Sequence, residues 1–161
     1  MKSIATEKFM FPEISGHNLE KKEMHLPRDF RGQYNVIIVA FQRWHQGLVN
    51  EWVYFLKKAL PKHKHNLEIY ELPTLNKGWA IMKWMIDGGM RAGIYNKDTR
   101  EHTITLYTNK GDFKEALHIQ DEKTIYVYLL DSDGMIHHRH RGEFTRESGE
   151  NLIYSFKNIS S

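Results

Sequence analysis

The chain of 161 residues contains no cysteine. No thiol is therefore present to be oxidised, exchanged or used as a nucleophile. The disulfide argument for or against a secreted scaffold also falls away. Long apolar runs are missing too, and none approaches the roughly 20 residues that cross a bilayer. The opening residues MKSIATEKFMFPEISG lack the charged start, apolar stretch and small-residue cleavage site of a secretory signal, so the default expectation is a cytoplasmic protein. Charge of one sign is scarce. The net charge is +3 and the pI about 9.0, too modest a bias to make nucleic acid the expected partner. The basic excess sits in KKALPKHKH (57–65) and HHRHRGEFTR (137–146), which read as solvated faces or loops. Low-complexity segments, fixed-period repeats and Pro/Gly/Ser linkers are all absent.

What is present fits one soluble domain. Hydrophobic residues make up 40% and charged residues 27%, enough apolar material for a core at this length. Residues 1–33 read as an extension, with Gly16-His17-Asn18 as the turn of a short hairpin. Residues 34–161 read as the core. YNVIIVAFQ (34–42) is a continuous β-branched run, the mark of a strand buried on both faces. From Leu48 the pattern becomes helical, with Leu48, Trp52, Phe55, Leu56 and Ala59 on one face and Pro61 as the stop.

A second strand follows at 66–73, and Asn76 opens an apolar helix ending near Gly88 and Gly89. HTITLYTN (102–109) is a third strand, KGDFKEALHI (110–119) a short helix and TIYVYLLD (124–131) a fourth strand. The Asp131-Ser132-Asp133-Gly134 turn then leads into a fifth strand, and Thr145 opens a last helix carrying Leu152, Ile153 and Phe156. The expected order is β-α-β-α-β-α-β-β-α, an α/β sandwich of a mixed sheet between helices, ending in an antiparallel pair.

Two blocks carry a resemblance. FPEISGHNLEKKEMHLPRDFRGQYNVIIVAF resembles the opening of peroxiredoxin and TlpA-type thioredoxin-like proteins, and IYVYLLDSDGMIHHRHRGEFT resembles their penultimate hairpin. With the order between them they cover nearly the whole chain. The opening phrase, the LP-D-F-G pattern and the tryptophan-bearing helix are also similar to the mitochondrial assembly factor for the ATP synthase, itself thioredoxin-like. The resemblance implies a thioredoxin-like three-layer sandwich. Laid onto the family's WCGPC, this chain reads Trp44, His45, Gln46, Gly47, Leu48, so both sulfur positions are lost. The family also places a cis-proline just before the strand that starts near Thr124, whereas the last proline here is Pro73. The resemblance thus implies the scaffold without thiol redox or peroxidase chemistry.

Three features stand where chemistry remains possible. His45 takes the nucleophile position near a helix N-terminus, where a cation is disfavoured, so that its imidazole tends to stay neutral and could serve as a base or ligand. The bland reading makes it a partly exposed helix-start residue, with no acidic neighbour closer than Glu51. His138 and His140 share one face of a strand, with His137, Arg139 and Arg141 on the other. That spacing supplies two ligands where zinc wants three or four, and the bland reading is a polar hairpin. Gly88, Gly89 and Gly93 around Met90 and Arg91 suggest an anion-holding loop, against a plain connection with Arg91 paired to Asp87 or Asp98. Trp44, Trp52, Trp79 and Trp84 read as core and rim, because their spacing does not align them.

The favoured reading is a non-catalytic binding or assembly module. Its ligand-binding candidates are Arg43, Trp44, His45, Gln46, Met90 and Arg91, and its partner is a protein, a second copy or a small anion. Neither a cofactor nor a metal is called for. The alternative is a non-thiol or metal-dependent enzyme using His45 or the His138/His140 strand.

Overall fold

The structure, a computed structural model, describes residues 9–74, 96–106 and 109–160. The expected helix at 76–89 lies outside them, as do Trp79, Trp84, Met90 and Arg91.

The central sheet has the order β4-β3-β6-β7. Strand β3 (Tyr34–Ala40) pairs in parallel with β4 (Leu67–Pro73), and antiparallel with β6 (Tyr126–Asp131), which pairs antiparallel with β7 (Ile136–Arg141). The crossover from β3 to β4 runs through α1 (His45–Ala59) and the short α2 (Lys62–His65). Alternation along β3 divides the core in two. Val36, Ile38 and Ala40 pack with Val49, Trp52 and Leu56 of α1 and with Leu152 and Phe156 of α5 (Arg146–Ser160). Ile37, Val39 and Phe41 face Phe11, Met24, Leu26 and, from α4 (Lys110–Ala116), Phe113. This is the expected three-layer arrangement. Thr145 begins α5 as expected: its Oγ1 accepts from the Ser148 N–H at 3.0 Å, and the Ser148 Oγ accepts from the Thr145 N–H at 2.8 Å.

Three expectations need correction. Gly16, His17 and Asn18 are not a turn; they belong to β1 (Ile14–Asn18). The turn comes after them, where the Asn18 side-chain oxygen accepts the N–H groups of Glu20 and Lys22 and Lys21 takes a left-handed φ of 65°. The local signal of Gly-His-Asn was outweighed by pairing with β2 (Glu23–Leu26). The third strand, β5 (Ile104–Leu106), leaves the central sheet for a small one of order β2-β1-β5, keeping a single parallel bridge from Thr103 to Glu71. The open edge of the hairpin offers β5 an antiparallel ladder, and Gly16 lets the two backbones close. Lastly, α1 starts three residues before Leu48, at His45, and a further short helix, α3 (Lys97–Glu101), capped by Asn96, precedes β5.

Candidate functional site

The junction between β3 and α1 is built from beneath by His45. The residue is fully buried. Its Nδ1 accepts the backbone N–H of Phe41 at 3.0 Å and of Gln42 at 3.2 Å. Those donors place the ring proton on Nε2, which is buried and has no hydrogen-bond partner. Burial holds the imidazole's pKa below its usual 6.5; the Lys123 backbone pulls the other way without closing a hydrogen bond. The ring is therefore neutral, as its position at a helix start suggests. It is not partly exposed, and its nitrogens are out of reach of solvent. In this arrangement His45 holds the turn in shape from within.

Trp44 lies above it. Its ring meets the His45 ring edge-on at 4.5 Å between centroids, and 58% of the residue is exposed. The indole Nε1 donates to the Gln42 Oε1 at 3.2 Å, while the Gln42 Nε2 donates to the Glu122 carbonyl at 2.8 Å. The Glu122 carboxylate in turn takes Lys110 at 2.9 Å and Lys114 at 2.7 Å. Exposed apolar surface is thus fixed in orientation by a chain of polar contacts reaching the loop before β6. That loop is where the resemblance places the cis-proline; here it carries Thr124 and the buried Ile125.

Gln46 extends the site to the other side. Its Nε2 donates to Asn50 Oδ1 at 2.9 Å and Glu71 Oε1 at 3.2 Å. Burial raises the Glu71 carboxyl above its usual range, with Gln46 and then the Lys57 and His102 charges opposing. Glu71 escaped the sequence reading, although an acid inside the NLEIYELP strand was a visible signal. Arg43 is exposed at the same edge. The structure thus brings together Arg43, Trp44, His45 and Gln46.

The second histidine feature lies on β7. His138 and His140 do share a face, but Nδ1 of His138 meets Ser155 Oγ at 2.9 Å, and Nε2 of His140 meets the Glu143 carbonyl at 3.3 Å. On the opposite face Arg139 donates to the His118 carbonyl at 2.6 Å, Arg141 holds Asp121 at 2.9 Å and His137 meets Asp131 at 2.8 Å. Among the described residues no three imidazoles or carboxylates converge as a metal would need.

The fold is shared with solved thioredoxin-like structures. The thioredoxin domain of a thiol-disulfide oxidoreductase from Bacteroides vulgatus is similar at 18% identity and a TM-score of 0.64, covering 96% of this chain and 99% of that one. A thiol:disulfide interchange protein from a Bacteroides species matches at 19% and 0.61, covering 96% and 90%. BsSco, of the Sco family of cytochrome c oxidase assembly proteins, matches at 12% and 0.61, covering 96% and 95%. No curated protein sequence matches. A family model described as ATP10 protein spans residues 5–159. The chain belongs to the ATP10 protein family. In this ATP10 chain the thioredoxin-like scaffold is kept, and with no cysteine the thiol chemistry named for the oxidoreductases has no group to perform it.

Two imidazoles of the ATP10 chain, the buried His45 and the half-buried His138, predict a pH dependence. Burial lowers the pKa of His45 and of His138, where the neighbouring His140 adds to it. In the unfolded chain each protonates below about 6.5, whereas in the folded chain each resists. Unfolding then takes up protons, so their contribution is complete above that value and lost as pH falls towards the folded pKa. Urea midpoints between pH 7.5 and 5 should fall, and less steeply for His138→Gln. A profile for His138→Gln as steep as that of wild type would contradict the assignment of His138.

Proposed function

We propose that the protein is an assembly factor of the ATP10 family that works by holding a partner protein, with its contact surface at the β3–α1 junction. The observation that carries this reading is Trp44, exposed yet held by Gln42 and by the His45 ring. An aromatic anchor whose rotamer is already ordered loses little entropy on binding, and such residues dominate interface energetics. Arg43 and Gln46 supply polar contacts beside it. Met90 and Arg91 stay as sequence candidates for the same edge. A disulfide switch is named for BsSco; in a chain without cysteine the equivalent edge would hold its partner through surface contacts alone.

A cysteine-free chain makes the test clean. Gly47 is exposed and a side chain there meets nothing within 4 Å, so Gly47→Cys accepts a photo-cross-linker beside Trp44. Cross-linking in host extract is expected to join the protein to one defined partner. Adding Trp44→Ala should cut that yield by roughly tenfold or more, the size typical of an interface anchor. The same label at Ser132→Cys serves as the remote control. A yield unchanged by Trp44→Ala would sink the proposal, as would disulfide reductase or peroxidase turnover by the purified protein.

A further inference from the structure

The outer face of α1 has a pattern that the junction does not use. Glu51, Tyr54, Phe55 and Lys58 stand at i, i+3, i+4 and i+7, one stripe along the helix. The inner stripe of Val49, Trp52 and Leu56 is consumed by the core. The outer one borders an open groove of about 530 Å³, completed by Ala59 and Phe144. Tyr54 is 64% exposed, and the Lys58 ammonium lies 4.5 Å from its ring centroid. Phe55 and Phe144 pack at 4.7 Å and form the floor. Gly149 of α5 sits against that floor, with no room for a side chain.

The stripe is its own complement. An acid stands at one end, a base at the other, and two aromatic residues lie between. Turn the helix end for end and the pattern maps onto its opposite. We propose that two copies of the chain pair antiparallel through α1, about a two-fold axis between Tyr54 and Phe55. Glu51 of each copy then faces Lys58 of the other, and Tyr54 of each faces Phe55 of the other. This is the isologous contact that a closed dimer requires. A heterologous partner would have to present the same charge pattern reversed, and a second copy does so without further assumption. The stripe spans about 10 Å at 1.5 Å per residue, so the contact is small and the dimer weak. It lies apart from the Trp44 edge, and neither proposal depends on the other.

The test is charge reversal with rescue. Sedimentation equilibrium of the wild-type chain, from micromolar to several hundred micromolar, is expected to show reversible dimerisation. Glu51→Lys and Lys58→Glu each put like charges at both ends of the contact, and each should raise the dissociation constant at least tenfold. The double variant restores opposite charges and should return it to within about threefold of wild type. Because the chain has no native cysteine, Tyr54→Cys gives an independent reading. Residue 54 lies beside the axis and should form an intermolecular disulfide on mild oxidation. Asn50→Cys lies well off the axis and should not. A chain that stays monomeric throughout overturns the proposal, as does a dimer insensitive to both reversals. A double variant no better than the singles overturns the antiparallel register.

Discussion

His45→Phe is expected to lower the unfolding free energy by about 2–4 kcal/mol, read as an earlier urea midpoint at constant slope. Phenylalanine keeps the ring and its volume. What it removes is the acceptor for two backbone donors, the N–H groups of Phe41 and Gln42. Orphaning the buried Phe41 donor costs on the order of 1–3 kcal/mol, the part-buried Gln42 donor adds less, and the turn that leads into α1 loses a tie. Part of the loss is offset, because phenylalanine has no counterpart to the unpartnered Nε2. His45→Asn separates the terms. It is smaller, so it leaves a cavity, but its side-chain oxygen can still accept the two amides. If Phe were as stable as wild type, the ring would be acting as filler, and the account of His45 as the tie of the junction would be wrong. The Trp44 edge should follow: with its base loosened, cross-linking from position 47 is expected to fall in His45→Phe even where the protein stays folded.

The second large effect is expected at Gly16. A Cβ built there lies 2.1 Å from the Thr105 carbonyl oxygen, a distance no side chain tolerates. The obstacle is backbone, so no rotamer change relieves it. Gly16→Val should therefore part β1 from β5, even though valine is the better strand former by propensity. A loss of about 3 kcal/mol or more is expected, with faster amide exchange at 104–106 ahead of the central sheet. Gly47→Ala is the contrast. It is also a glycine in a regular element, but it faces open space in a helix and should stabilise by up to about 1 kcal/mol. Equal behaviour of the two glycines would show that the close approach at Gly16 does not hold the small sheet.

Read residue by residue, the chain declares its scaffold. The run from Tyr34 is buried on both faces because Val36 to Ala40 are apolar and the one amide before them, Asn35, is satisfied by the Gly32 backbone. The period of Val49, Trp52 and Leu56 sets the inner face of α1, and the DSDG turn sets the antiparallel pair β6–β7. The missing sulfur is equally local information. A count of zero cysteines needs no coordinates to exclude thiol chemistry, and the junction residues Arg43 to Gln46 could be located by their place between strand and helix.

Tertiary structure decided what that position means. From sequence, His45 was open to two readings, reactive or half-exposed; the half-exposed one fails, because the residue is fully buried with its Nδ1 taken by the Phe41 and Gln42 amides. The partner of β5 was equally hidden. Three residues can pair with either of two edges, and the choice fell to the hairpin because Gly16 allows contact there. Glu71 was in plain view in its strand, yet only packing makes it a half-buried acid beside Gln46. Periodicity specifies which face of an element is apolar. What covers that face, and which polar atoms are left without water, depends on elements far away in sequence. That is why the fold was legible in advance and the chemistry of the junction was not.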